Sequence, residues 1–171
     1  SQDAFGIVSS VNDGQQPAPG MSGEHDPARV SVRPFHPDTP EVRQDWARYH
    51  DLITAMDKEA GDMLAQLEED GLADDTIVFF YSDHGVGLPR GKRSCYDTGT
   101  RVPLLVRVPR LCRAGARCDE IVELVDLVPT LCDLLDMEAP GNLEGTSFGP
   151  LLADPRQIVD LYLGNADLAI F

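Results

Sequence analysis

The feature that most constrains this chain is the stretch 76–109, TIVFFYSDHGVGLPRGKRSCYDTGTRVPLLVRVP. Two apolar runs, residues 77–81 and 102–108, bracket a polar loop that opens with Asp83-His84-Gly85 and contains Lys92. Runs this short and this rich in Val, Ile, Phe and Leu read as strands. An apolar run with no polar alternation predicts a central parallel strand covered by helices on both faces. A carboxylate, an imidazole and an ammonium thus gather at the exit of one strand, where open α/β sheets hold their ligands.

The chain of 171 residues is 42% hydrophobic, enough to bury one core. Its 29 acidic residues against 14 basic ones give a net charge of −15, which argues against nucleic-acid binding because that requires a positive field. No segment approaches the roughly 20 apolar residues of a membrane span. Residues 90–93, Arg-Gly-Lys-Arg, and Arg101 concentrate positive charge beside the Asp-His pair, so a small anion can be attracted locally despite the global charge. Cys95, Cys112, Cys118 and Cys132 show no C-x-x-C spacing; Cys112 and Cys118 could bridge or stay free, and the compartment is open.

Residues 1–36, with Gly and Pro clusters and little periodicity, predict a long irregular, mostly loop segment, and 37–171 a single α/β unit. A helix starts near Pro40, with Asp38 or Thr39 as cap and proline in the first turn. Val42, Trp46, Tyr49, Ile53, Met56, Ala60, Met63 and Leu67 then recur at gaps of three and four, a single face expected to meet the core. Gly71 stops that helix, which then returns into the first strand as half of a crossover unit. Further on, 120–125 reads as a short strand or extended entry and Asp126 as N-cap of a helix over 127–137. A brief helical turn is expected at 148–152 and a weaker strand at 158–163.

Asp83 and His84 offer a hard oxygen and a neutral imidazole to a divalent cation, and two ligands are only part of a site. Lys92, nine residues after Asp83, can fold its ammonium toward the same cation or its bound anion. Such a clamp suits a tetrahedral oxyanion in sulfuryl or phosphoryl transfer.

The runs Asp75 to Gly85, Gly91-Lys92, Tyr96-Asp97 and Gly99-Thr100-Arg101-Val102-Pro103-Leu104-Leu105-Val106 resemble the sulfatase family of the alkaline-phosphatase-like superfamily. Met56-Asp57 and Val125-Asp126-Leu127-Val128-Pro129-Thr130-Leu131 look like its preceding helix and following element. The resemblance implies the later part of a catalytic domain. Its fold would be a partial α/β sandwich with a mainly parallel sheet flanked by helices. Its activity would be hydrolysis of sulfate esters or sulfamates on a small substrate such as a sulfated sugar or aryl sulfate. Asp83 and His84 match metal ligands, usually of Ca²⁺ with Mg²⁺ or Mn²⁺ as alternatives, and Lys92 matches the lysine that contacts sulfate. Arg90 is a further candidate anion contact, and Tyr96, Gly99, Arg101 and Pro103 match positions read as structural.

Two departures accompany it: no C-x-P-x-R or S-x-P-x-R motif supplies the formylglycine nucleophile, and no early Asp-Asp pair completes the metal site. His25 and His36 match the family's leaving-group histidine only loosely. The expectation is a chain that alone hydrolyses nothing efficiently. Two alternatives stand beside it: a phosphodiesterase or phosphonate monoester hydrolase of the same superfamily, or a truncated non-catalytic remnant that self-associates through an unpaired sheet edge.

Overall fold

The computed structural model describes residues 23–154 and the backbone of a strand at Ala166–Ile170. The chain divides into two compact units, Ser1–Gly71 and Leu72–Phe171.

In the first unit, residues 23–39 form turns, and helix α1 runs over Pro40–Glu69. Thr39 is its cap: the hydroxyl accepts from the Val42 amide at 3.4 Å, and Pro40 occupies the first turn. Arg43 fastens the preceding turns to the helix, donating to the carbonyls of Ala28 and Val30, both at 3.2 Å, and to the Asp38 carboxylate. The apolar stripe is buried only at its start, where Trp46 and Ala47 meet those turns. Ile53, Met56 and Met63, expected to face a core, are exposed, because the turns of 23–39 cover only the first part of the helix.

The second unit is built on a four-stranded sheet in the order β1-β2-β4-β3, with β1 Val78–Tyr81, β2 Val102–Arg107, β3 Arg117–Cys118 and β4 Ala166–Ile170. Its α/β character agrees with expectation, but its strand directions do not follow the expected mainly parallel pattern. β2 pairs β4 in parallel, whereas β1 is antiparallel to β2 and β3 antiparallel to β4. The cause is the 82–101 loop, which contains only the one-turn helix α2 (Asp97–Thr100) and so folds the chain straight back instead of crossing over. β1 is accordingly an edge strand, and its residues are half-buried or exposed rather than enclosed on both faces.

In β2, Val102, Leu104 and Val106 are buried while the residues between them are less so, the alternation of a sheet with one packed face. That face meets α3 (Leu127–Leu134) and α4 (Gly149–Ala153): Leu104, Val106, Val122, Phe148, Leu151 and Leu152 form one cluster, with Ile77, Phe79, Leu127 and Leu134 packed against it. The helix expected over 127–137 ends at Leu134, and the expected segment 120–125 gives a strand three residues earlier and a 3-10 turn at Leu124–Asp126. The strand expected at 158–163 lies outside the described residues.

Candidate active-site loop

The loop between β1 and β2 is closed by backbone contacts that leave no space for a side chain at Gly85 or Gly91. The Gly85 amide donates to the Gly99 carbonyl at 3.0 Å, and the Lys92 amide to the Val86 carbonyl at 2.7 Å. A Cβ on Gly85 would lie 1.8 Å from the Thr98 carbonyl oxygen, and one on Gly91 2.0 Å from that of Val86, so both positions require glycine. The segment carrying Lys92 is thereby drawn against the segment that follows Asp83-His84.

Ser82 donates its hydroxyl to the His84 carbonyl at 2.7 Å, fixing the turn out of β1. The His84 Nδ1–H donates to the Gly85 carbonyl at 2.7 Å, which leaves Nε2 as a lone pair. That nitrogen lies 3.4 Å from Asp83 Oδ1. With a neutral imidazole these are two acceptors facing each other, an arrangement that a proton or a cation between them stabilises. A carbonyl that orients the imidazole from its far side is also how metal-ligating histidines are held.

The donors fit a divalent cation in kind but not in number. One carboxylate oxygen and one imidazole nitrogen are present, a hard cation takes six or more ligands, and no cluster of three or more His, Cys, Asp or Glu that could hold a metal occurs among the described residues. His25 and His36, the loose matches for a leaving-group histidine, are engaged within the first unit. His25 Nδ1–H donates to the buried Asp51 carboxylate at 2.8 Å, and His36 Nδ1 accepts from the Trp46 indole at 3.2 Å.

Two features escaped the sequence reading. Tyr96, read as structural, is 64% exposed, and the Arg90 guanidinium lies 5.9 Å from its ring centroid. Arg90 and Arg93 both adopt left-handed backbone, at φ 63° and 66°. Composition gave no sign of either; the Gly91 between the two cations was the only local hint of a tight turn.

Comparison with known proteins supplies the context for this loop. The family model described as Sulfatase matches residues 17–137. An ulvan-active sulfatase of Formosa agariphila is 36% identical over 120 residues, 70% of this chain and 20% of the relative. The human N-sulphoglucosamine sulphohydrolase is 37% identical over 142 residues, 77% of this chain and 28% of the relative. The chain thus spans less than a third of the length of these curated relatives. A solved structure of a protein in complex with its substrate D-glucosamine-2-N,6-O-disulfate superposes with a TM-score of 0.65 at 29% identity, covering 72% of this chain and 27% of that one. A phosphonate monoester hydrolase from Silicibacter pomeroyi gives a TM-score of 0.60 at 30% identity, over 80% and 30% of the two chains. With the model covering most of its residues and its fold shared with these structures, the chain belongs to the sulfatase family, within the alkaline-phosphatase-like superfamily.

Proposed function

We propose that this chain carries part of the metal and sulfate site of a hydrolase for sulfate esters or sulfamates, with 37–171 as part of its catalytic domain. The observation that carries the reading is the Asp83–His84 pair, two acceptors 3.4 Å apart with the imidazole oriented by the Gly85 carbonyl. Asp83 Oδ1 and His84 Nε2 would hold a divalent cation, Ca²⁺ first, with Mg²⁺ or Mn²⁺ as alternatives. Bound there, the cation would supply positive charge to the sulfate oxygens of a sulfated sugar or aryl sulfate. Lys92 would add its ammonium on the facing segment, the preorganised charge that favours a tetrahedral oxyanion.

No C-x-P-x-R or S-x-P-x-R motif and no early Asp-Asp pair occurs in this sequence, so the reading assigns catalysis to an assembly that supplies them and expects this chain alone to be inactive. Calorimetric titration with Ca²⁺ and with inorganic sulfate tests it directly. Binding of the cation that disappears in Asp83→Ala, and of sulfate that weakens in Lys92→Ala, is the expected result; no binding of either sinks the reading.

A second reading, phosphodiester or phosphonate monoester hydrolysis, is favoured by the Silicibacter pomeroyi structure and by a 35% identical relative, a multifunctional alkaline phosphatase superfamily protein of Trinickia caryophylli. Tighter binding of methylphosphonate than of sulfate would support it. A third outcome, concentration-dependent association through the edge strand β1 without ligand binding, would identify a non-catalytic remnant.

A further inference from the structure

We propose that Asp51 is a positioning residue, which fixes His25 with its proton on Nδ1 and presents Nε2 to a cavity of the first unit that takes the sugar part of the substrate. The class of ligand rests on the sulfate-ester reading above.

The starting point is a buried charge. The Asp51 side chain, on α1, is only 6% exposed, and a carboxylate taken out of water is costly unless it is bonded. One of its oxygens accepts twice from the same residue, from the His25 amide at 3.1 Å and from the His25 ring at 2.8 Å. Main chain and ring are tied to one atom, which sets the orientation of the imidazole. An ionised carboxylate only accepts, so the ring proton is on Nδ1 and Nε2 keeps its lone pair. A buried carboxylate behind an imidazole is how such rings are held in one tautomer for proton exchange with a ligand.

Fastening the turns of 23–39 to the helix does not require this pair. Arg43 already ties the Ala28 and Val30 carbonyls to α1, and Thr39 caps the helix. A neutral acceptor would hold the His25 amide without the cost of burying a charge.

The ring so oriented lines a cavity of about 440 Å³, together with Glu24, Asp26, Arg29, Ser31 and His50. All of these residues belong to the first unit. With Nδ1 turned to Asp51, Nε2 is the polar ring atom left for the cavity. The His50 ring, 5.4 Å from that of His25 and tilted by 31°, supports the imidazole from α1. A volume in the small-molecule range, walled by donors and acceptors of both charges, suits a ligand with several hydroxyl or amino groups.

His36, the other loose match for the leaving-group histidine, is built the opposite way. Its Nδ1 accepts from the Trp46 indole at 3.2 Å, so the neutral ring carries its proton on Nε2. The ring packs edge-on against Phe35, with centroids 4.7 Å apart, and the cavity is lined without it. Two histidines that the sequence could not separate are separated by their partners.

The test is ¹⁵N NMR of the chain at about pH 8, above the usual histidine range, titrated with D-glucosamine. His25 should carry its proton on Nδ1 and His36 on Nε2, and D-glucosamine should shift the His25 Nε2 signal. Asp51→Ala should release the His25 tautomer, leave that of His36 as it was and weaken D-glucosamine binding about tenfold. Thr39→Ala, which removes a cap from the same helix, should change neither, whereas a merely structural Asp51 predicts that the two variants behave alike. A His25 proton on Nε2 in the unaltered chain, or an Nε2 signal that D-glucosamine does not move, overturns the inference, and both are read without a variant that must fold. D-glucosamine binding undiminished in Asp51→Ala overturns it as well. Absence of Ca²⁺ and sulfate binding overturns the proposed function, while the tautomer and the D-glucosamine titration decide the role of Asp51.

Discussion

Asp83 and Asp126 are both carboxylates just outside a regular element, and they meet opposite surroundings. Asp126 is buried, with its two oxygens accepting from the Glu123 and Thr146 amides, each at 2.8 Å. Its carbonyl accepts from the Thr130 hydroxyl at 2.6 Å, and that hydroxyl accepts from the Phe148 amide at 2.9 Å. This network joins the turn before α3 to the fully buried Phe148 before α4. Asp83 has a side chain 79% exposed and faces an imidazole lone pair instead of a donor. A structural carboxylate has its lone pairs filled by the backbone that it organises. A carboxylate that faces another acceptor and remains accessible has no such structural partner in that contact and is open to a cation.

The sharpest way to break that contrast is to remove each carboxylate in turn. Asp126→Ala leaves two backbone amides without acceptors in a closed site and should lower the unfolding free energy by about 3–5 kcal/mol, read from the urea midpoint. A loss under about 1 kcal/mol would mean that water replaces the carboxylate and that the network is not structural.

The next effect belongs to the loop backbone. Gly85→Ala drives a methyl into the Thr98 carbonyl and should cost about 1–3 kcal/mol. Gly87, where a Cβ would meet nothing within 4 Å, is the control, and its alanine variant should stay within about 0.5 kcal/mol of the parent. Equal effects at the two positions would show that the loop is not the close-packed bracket described. Asp83→Ala should be smaller still in stability, under about 0.5 kcal/mol without metal, yet weaken Ca²⁺ binding by about 10–100-fold. Destabilisation as large as that of Asp126→Ala would make Asp83 structural after all.

How far the sequence disclosed these two regions depends on the range of the contacts involved. Asp83, His84 and Lys92 stood out in the sequence as ionisable groups just past an apolar run, and the structure sets Asp83 beside His84 and ties the Lys92 amide to Val86 in the same loop. The span of α1 was legible from its three-and-four spacing, but the spacing could not show that Ile53, Met56 and Met63 on that stripe are exposed. Strand direction was hidden in the 82–101 loop, since a short apolar run looks alike in a parallel strand and at the edge of an antiparallel pair. Asp126 was read as a helix cap, and its side chain makes no cap bond to α3. Its bond to Thr146, twenty residues on, is a contact that local pattern cannot reveal. Arg90 on Tyr96 depends on a left-handed turn, and the arginine there gives none of the signal a glycine would.

The smallest effect separates loop from core through their thiols. Cys95 is exposed in the loop, whereas Cys118 is buried in the core and Cys112 packs at its margin; all are free cysteines. Burial pushes the Cys112 and Cys118 thiols above their usual range, because the thiolate loses more hydration than the thiol. Alkylation by iodoacetamide at pH 8 should therefore modify Cys95 first, by an order of magnitude or more in rate, with the other two following only as the second unit opens. The same shifts set a pH dependence. A folded-state thiol pKa above the unfolded one contributes stability that is fully present below the unfolded value, about 8.5, and is lost as pH rises through the folded value. The urea midpoint should thus fall modestly above about pH 9, and Cys118→Ser should flatten that fall. Mass-resolved labelling that finds Cys118 as reactive as Cys95 in the folded chain would show that the strand β3 does not close over the core, and the comparison of an open loop with a sealed sheet would fail there.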